Sequence, residues 1–190
     1  MRGRLALAGT ATALRLLDLT TPASPVILWS RTNLDSPNAV TFGEQTVLAQ
    51  IGPLLYRFDS ATGGDRGTLQ IGNNDSLITR GDFIYALANN KLTICRDADY
   101  LELVGTVNAP GSGGAGGRPR QLVLAGNLLY AQHNFGFNAF DLADPAVPVL
   151  AKDFKSSQAG WRDVALTGTG WALAADGRNS TADGPHDVSL

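Results

Sequence analysis

Cysteine and histidine are scarce in this sequence, and their scarcity excludes several kinds of chemistry. A single cysteine, Cys95, stands among 190 residues, so the chain has no internal disulfide and no cysteine-built zinc site. The two histidines, His133 and His186, are too few for a histidine cluster. We therefore expect neither a metal nor a cofactor, and we interpret Cys95 as a buried thiol in an apolar run.

Charge and long apolar runs are also in short supply. Only 17% of the residues are charged, the net charge is −2, and no basic stripe is present. Nucleic-acid binding needs concentrated Lys and Arg to displace counterions, so we exclude a nucleic-acid partner. The chain lacks the run of about 20 apolar residues that a membrane span needs. Residues 1–14 have the basic start and apolar middle of a short signal peptide, but the repeat phase described next favours strands there.

An aspartate and a glycine recur along the chain at a nearly constant distance from each other. An aspartate ends an apolar run four times, at Asp18, Asp59, Asp97 and Asp141. A glycine precedes each aspartate by 15 or 16 residues, at Gly3, Gly43, Gly81 and Gly126. This spacing predicts a repeat of about 40 residues. We interpret each aspartate as an Asx turn, whose carboxylate accepts backbone N–H groups where one strand turns into the next.

The repeat is clearest between residues 120 and 150. Apolar runs at 122–125, 128–131 and 137–140 are separated by Gly-Asn and similar turn signals, and a fourth run begins at 149. Four short strands in a unit of about 40 residues are typical of a propeller blade. With 22 glycines, 9 prolines and no helical periodicity, the sequence predicts an all-β chain.

The predicted architecture is a β-propeller of four-stranded blades within residues 1–175. About four to five blades are expected, and because both ends are partial we interpret the chain as an incomplete arc of a larger propeller; a small closed ring is the alternative. The predicted blades are a partial one at 1–30, whole ones at about 38–72, 75–107 and 120–155, and a partial one at 162–175. Residues 176–190 are predicted to be a loop or disordered tail. Pairing with the missing blades is expected.

Two segments, 14–22 and 137–145, resemble the LVIVD-repeat β-propellers, in which an aliphatic strand is followed by Asp and an x-x-Pro-x-x-Pro segment. The string Asp-Leu-x-x-Pro-Ala-x-Pro-Val-aliphatic occurs at 18–27 and again at 141–150. The units ending at Asp59 and Asp97 lack these prolines. The resemblance implies a bacterial protein that is extracellular or attached to the cell surface, and it brings no catalytic residues.

Loops that converge at the channel mouth of a propeller form the default binding site. Residues predicted to lie there are Asn38, Asp75, Arg120, His133, Asn134, Trp161, Arg162 and Asp163. The alternative is that Arg120, Arg162 and Asp163 form solvated or inter-blade ion pairs, and that Trp161 packs between blades.

Two functions fit this pattern. The first is a non-enzymatic binding or scaffolding module with a protein or small ligand at the channel mouth, and we expect no catalytic residue in it. The second is a fragment of a propeller enzyme of the quinoprotein, lyase or glycosidase type. Asp75 and Asp163 are the acids placed for that chemistry, and glycoside hydrolysis requires two carboxylates about 5–10 Å apart.

Overall fold

The structure is a computed structural model that describes residues 2–88, 90–111, 119–133, 136–155, 163–166, 172–175 and 188–189. The chain divides into two compact units rather than one. The first consists of Met1–Tyr85 and Cys95–Val104, and the second of Ala86–Ile94 and Gly105–Leu190. The boundary therefore runs through the third of the predicted blades.

The described residues form five sheets and no helix, and in every sheet the strands follow one another in chain order. The first sheet has three strands, β1 (Leu5–Gly9), β2 (Ala13–Asp18) and β3 (Val26–Thr32). The second has β4 (Ala39–Phe42), β5 (Thr46–Ile51), β6 (Leu54–Asp59) and β7 (Asp65–Gln70). The third has β8 (Ser76–Arg80), β9 (Phe83–Ala88), β10 (Lys91–Asp97) and β11 (Leu101–Asn108).

Two further sheets follow in the second unit. The fourth has β12 (Pro119–Ala125), β13 (Leu128–His133), β14 (Gly136–Asp141) and β15 (Val149–Lys155). The fifth has three strands, β16 (Asp163–Leu166), β17 (Ala172–Ala175) and β18 (Val188–Ser189). The predictions of an all-β chain and of four-stranded units are thus confirmed. Strand β18, which pairs with β17, lies within 176–190, where the sequence predicts a loop or tail.

Tight glycine turns join the first and second strands of the blades. Gly3, Gly81 and Gly126 each occupy the first central position of a two-residue turn, and each has φ +57°. This conformation belongs to the type II′ hairpin turn, whose twist matches that of the flanking strands. The recurring glycines of the sequence therefore mark hairpins. By this correspondence β1 is a second strand, equivalent to β9 and β13.

In the second and third sheets, burial falls from the middle strands towards the last strand. Strand β5 is buried along its whole length, whereas β7, the outermost strand of the same sheet, is mostly exposed. Strands β9 and β10 are likewise buried, and β11 is largely exposed. The apolar core thus lies on both faces of the middle strands.

In the first unit one apolar cluster joins the first two sheets. Its buried members are Leu14, Leu16, Trp29, Val47, Ala49, Ile51 and Phe58. The indole Nε1 of Trp29 donates to the carbonyl oxygen of Ser60 at 3.0 Å. Its ring lies against Gly63, where an added Cβ would stand 2.8 Å from the indole. A glycine is therefore required beneath this tryptophan.

The fourth sheet has its own core in the second unit. Leu129 pairs across the ladder with Phe140, and both side chains are fully buried. On the opposite face the rings of Tyr130 and Phe137 meet edge to face, with centroids 5.6 Å apart. Such a pair adds about 0.5–1.5 kcal/mol to the burial of the two rings.

Three of the four recurring aspartates accept backbone N–H groups just after their strands. The Oδ1 atom of Asp18 accepts from Thr20 N at 2.8 Å, and that of Asp59 accepts from Ala61 N and Thr62 N at 3.0 and 2.8 Å. The Oδ1 atom of Asp141 accepts from Ala143 N at 2.8 Å. The fourth, Asp97, makes different contacts, which are described with the site below.

We expect Asp141→Ala to lower the free energy of unfolding by about 0.5–2 kcal/mol, by analogy with side-chain caps of helices. The reason is that Oδ1 of Asp141 also accepts the Asn127 side-chain amide at 2.7 Å, so two donors lose their partner. Urea denaturation measures the effect. Asp141→Asn keeps an acceptor oxygen and should retain most of the stability, so equal losses in the two variants would contradict the turn role.

The pKa values of Asp59 and Asp18 predict an acid-sensitive part of the stability. Hydrogen bonds from Thr62 hold the pKa of Asp59 below its usual 3.8, and those from Thr20 do the same for Asp18. A carboxyl with a lowered folded-state pKa stabilises the fold above its unfolded pKa and loses that contribution as the pH falls through the folded value. The stability that these two carboxylates contribute should therefore be lost as the pH falls below about 4.

The double variant Asp18→Asn/Asp59→Asn cannot titrate at these positions. Its free energy of unfolding, measured from about pH 5 down to pH 2, should decline less steeply than that of the wild type. Parallel declines in the two proteins would show that these two turns are not the source of the acid sensitivity.

Candidate functional site

A buried ion pair links the second and third sheets within the first unit. Arg57 lies on β6, and its Nε is 2.6 Å from Oδ1 of Asp97 at the end of β10, with side-chain exposures of 9% and 6%. The N–H does not point along that line, so the contact is an ion pair rather than an aligned hydrogen bond. Arg57 also donates to the carbonyl oxygens of Ala98 and Asp99, and Thr46 Oγ1 donates to Oδ2 of Asp97.

We call Thr46, Arg57 and Asp97 the Arg57 cluster. Burying a charge without a counterion is costly, so Arg57 can be buried only because Asp97 lies beside it, and Asp97 only because of Arg57. A cavity of about 170 Å³ adjoins it and is also lined by Glu44, Gln45, Arg66 and Ala98. Arg66 is itself paired with Asp59. Since both arginines have acidic partners, the cluster is built as a tie between sheets rather than as an anion site.

Sequence reasoning did not single out Arg57, although a signal was available. The residue two positions before each recurring aspartate is Leu16, Arg57, Cys95 and Ala139 in the four units. All four are buried. One arginine in a series of buried apolar residues requires an acid from another element, and Asp97 is that acid. An alignment of the repeats would have shown that Arg57 needs an acidic partner, but it would not have shown that Asp97 is that partner.

An amide network supports the opposite end of the second sheet. The buried Gln50 side chain donates Nε2 to the carbonyl oxygens of Gly52 and Gly72 at 2.7 and 3.0 Å. The buried Asn74 donates Nδ2 to Gly72 O at 2.9 Å and approaches Gln50 Oε1 at 3.4 Å. The network holds together the β5–β6 turn and the loop that leads into β8. Sequence reasoning missed both amides because neither stands in a motif.

The structure describes the side chains of only some of the residues predicted to lie at the channel mouth. Asn38 and Asp75 are exposed, and both lie beside the amide network, since Asn38 N donates to Gln50 O at 2.8 Å and Asp75 follows Asn74. His133 is fully buried at the end of β13. The remaining predicted residues lie outside the described residues or have undescribed side chains; they are Arg120, Asn134, Trp161, Arg162 and Asp163.

A larger cavity of about 490 Å³ lies at the glycine-turn end of the first unit. Its apolar wall consists of Leu7 on β1 with Val40 and Phe42 on β4. Its polar wall includes Arg2 and Glu44. The Arg2 guanidinium donates to the carbonyl oxygens of Gly43 and Glu44, so the arginine anchors the first hairpin turn to the second.

The outermost strands of three sheets expose large apolar side chains. On β3 the exposed residues are Val26 at 59%, Ile27 at 50% and Leu28 at 49%. Val149 at the start of β15 is 61% exposed, and β11 exposes Leu103 and Val104. The outermost strand of the second sheet, β7, is polar by contrast. Strands β3 and β15 follow the two copies of the proline string.

Comparison with solved structures shows what this arrangement resembles. The chain superposes on the WD40 domain of Neurospora crassa Pan2 with a TM-score of 0.70 and 13% identity, over 98% of this chain and 57% of that one. BamB from Moraxella catarrhalis gives a TM-score of 0.63 and 14% identity, over 92% and 58% of the two chains. The computationally designed Ika8 protein gives 0.68 and 11%, over 93% and 53%.

The sheets are β-propeller blades. The chain spans between 53% and 58% of the length of these three structures. Identities this low show the fold alone. No family model matches the sequence, and no curated protein matches it either. Among the described residues there is no helix that could cross a bilayer, and no three His, Cys, Asp or Glu side chains converge as metal ligands.

The burial of the Arg57 cluster predicts that loss of its ion pair lowers the free energy of unfolding more than loss of an exposed ion pair does. Arg57→Leu leaves Asp97 buried without a counterion and should lower the free energy of unfolding by about 3–5 kcal/mol. Arg96→Leu is the matched control, because Arg96 and Asp82 form a pair with side-chain exposures of 47% and 37%. Solvent screens this exposed pair, so its loss should lower the free energy of unfolding far less than the loss of Arg57 does.

Urea denaturation of both variants measures the difference. The double variant Arg57→Leu/Asp97→Ala removes both buried charges and should recover part of the loss. Similar values for Arg57→Leu and Arg96→Leu, or a double variant no better than the single one, would refute the tie between the two sheets.

Proposed function

We propose that this chain is a non-enzymatic binding or scaffolding module that recruits a protein partner through the outermost strands of its blades. The observation that carries the proposal is the exposure of Val26, Ile27 and Leu28 on β3 and of Val149 on β15. Exposed apolar patches on a folded domain mark interaction sites more often than isolated apolar residues do. Both strands are also edge strands, whose free backbone groups can bond to a partner.

The repeated proline string supports a finer assignment to the LVIVD-repeat type. In both copies the prolines follow the turn aspartate and lead directly into the exposed outermost strand. This makes the string the part of the repeat that presents the apolar residues. The proposed location, extracellular or on a bacterial cell surface, comes with that assignment. Protease treatment of intact bacterial cells should remove the protein, and its survival until lysis would contradict a surface location.

A partner at the channel mouth is a further part of the proposal. Asn38 and Asp75 are the exposed residues that support it, because Asn38 N donates to the main-chain oxygen of Gln50 and Asp75 follows Asn74, whose side chain donates to Gly72 O. Polar groups on a preorganised backbone bind a ligand with less loss of conformational entropy. Variants at these two residues therefore separate a mouth partner from an outer-strand partner.

Site-specific photocrosslinking tests the proposal. A benzophenone amino acid placed at Ile27 or Val149 should give a protein adduct in cells that express the chain. The same group at Thr68, on the polar outermost strand β7, is the matched control and should give none. The variant Asn38→Ala/Asp75→Ala should leave an outer-strand adduct intact.

Two results would overturn the outer-strand proposal. One is an adduct of equal yield at Thr68, which would indicate contact without selectivity. The other is the absence of any adduct at Ile27 and Val149 while the protein remains folded by circular dichroism.

A further inference from the structure

An exposed aromatic patch lies at the start of β11, the outermost strand of the third sheet. Tyr100 is 67% exposed, and Leu103 and Val104 on the strand are 52% and 39% exposed. The other three tyrosines of the chain are buried or half-buried. Tyrosine is enriched at protein interfaces because its ring buries a large apolar area while its hydroxyl keeps a polar partner. We call Tyr100, Leu103 and Val104 the Tyr100 patch.

The turn that carries Tyr100 is held by the buried Arg57. Its guanidinium donates to the carbonyl oxygens of Asp99 and Ala98 at 2.8 and 2.5 Å, and its Nε lies 2.6 Å from Oδ1 of Asp97. One buried side chain therefore holds all three residues that precede Tyr100. A binding group on a fixed backbone loses less conformational entropy on binding than one on a mobile loop.

The carboxylates around the patch give it an excess of negative charge. Asp99 precedes Tyr100 and is exposed, and Glu102 on β11 is half-buried. Neither carboxylate forms an ion pair with another described residue, and the nearby Arg96 is already paired with Asp82. A partner that complements this surface is therefore cationic as well as apolar.

The same sheet shows how a carboxylate and a ring hold an arginine. Asp82 and Phe83 are consecutive, and Arg96 places its Cζ 5.7 Å from the centroid of the Phe83 ring and its Nε 2.6 Å from Asp82 Oδ2. The ring face attracts the guanidinium, and the carboxylate pairs with it. Asp99 and Tyr100 repeat this order of carboxylate and ring, but among the described residues no cation pairs with the Asp99 side chain or stacks on the Tyr100 ring.

We propose that the Tyr100 patch binds a segment of a partner protein in which an arginine is flanked by aliphatic residues. The guanidinium stacks on the Tyr100 ring and pairs with the carboxylate of Asp99. The aliphatic side chains of the segment cover Leu103 and Val104. This site lies apart from β3 and β15, so it does not depend on the proposed function.

Fluorescence anisotropy with a labelled peptide of sequence Gly-Leu-Arg-Leu-Gly tests the site on the full chain. We expect saturable binding with a dissociation constant below about 1 mM. The same peptide with citrulline in place of arginine keeps its shape but loses its charge, and it should bind about 10-fold more weakly. Tyr100→Leu keeps an apolar side chain but removes the ring, and Asp99→Asn removes the charge, so each should weaken binding about 3-fold.

Asp35→Asn is the matched control, because Asp35 is exposed and has no aromatic neighbour in sequence, and it should leave binding unchanged. Asp99→Asn keeps the carbonyl oxygen that Arg57 binds, and both substituted side chains are exposed, so a thermal melt of each variant should match the wild type.

Three results would overturn the proposal. One is equal binding of the arginine and citrulline peptides. Another is the absence of saturable binding at about 1 mM peptide. The third is equal weakening by Asp99→Asn and Asp35→Asn, which would indicate attraction by the net charge of the chain rather than a site at Tyr100.

Discussion

A blade of four short strands has two apolar faces and cannot bury either of them alone. This constraint explains the distribution of residues in the structure. Strand β5 is buried along its whole length, and its sheet shares one apolar core with the first sheet. The outermost strand β7 of the same sheet contributes nothing to this core; it is polar and mostly exposed. Within the first unit, each of the first two blades therefore completes the core of the other.

Where sheets meet within the first unit, apolar contact is supplemented by specific polar ties. Trp29 reaches Ser60 on the neighbouring sheet, Arg2 reaches the turn at Gly43, and Arg57 reaches Asp97. Arg2 and Gly43, like Arg57 and Asp97, are about one repeat apart in sequence, and Trp29 and Ser60 are 31 residues apart. Apolar packing alone tolerates small slips between sheets, whereas a hydrogen bond or ion pair has one geometry. The polar ties thus define how one blade is oriented on the next.

Local features of the sequence predicted most of the fold. The strand order of the fourth sheet could be predicted from the spacing between Gly126 and Asp141 and from the apolar runs between and after them. Hairpins and Asx turns are determined by neighbouring residues, so these local signals are sufficient. Strand β18 was not predictable, since Val188 and Ser189 lie among residues of turn-like composition and form only two pairs with β17, the strand before them.

The candidate sites were less predictable than the fold. Exposure of Asn38 and Asp75 follows from their places before inner strands, but the side chains of Gln50 and Asn74 beside them are brought together only by folding. His133 was expected in the loop after the second strand, whereas it is the last residue of β13 and is buried. The Arg57–Asp97 pair spans a distance of one repeat, and no local pattern connects the two residues.

Gly43 gives the ion pair a consequence for how such a chain can diversify. An added Cβ at Gly43 would stand 2.6 Å from Asp97 Oδ2 and would also overlap Thr46 Oγ1, so this turn accommodates glycine and the carboxylate together. Gly43, Thr46 and Arg57 belong to one repeat and Asp97 to the following one. Recombination that moved either repeat to another place would separate a buried cation from its anion. The order of these two repeats is therefore constrained by electrostatics as well as by apolar packing.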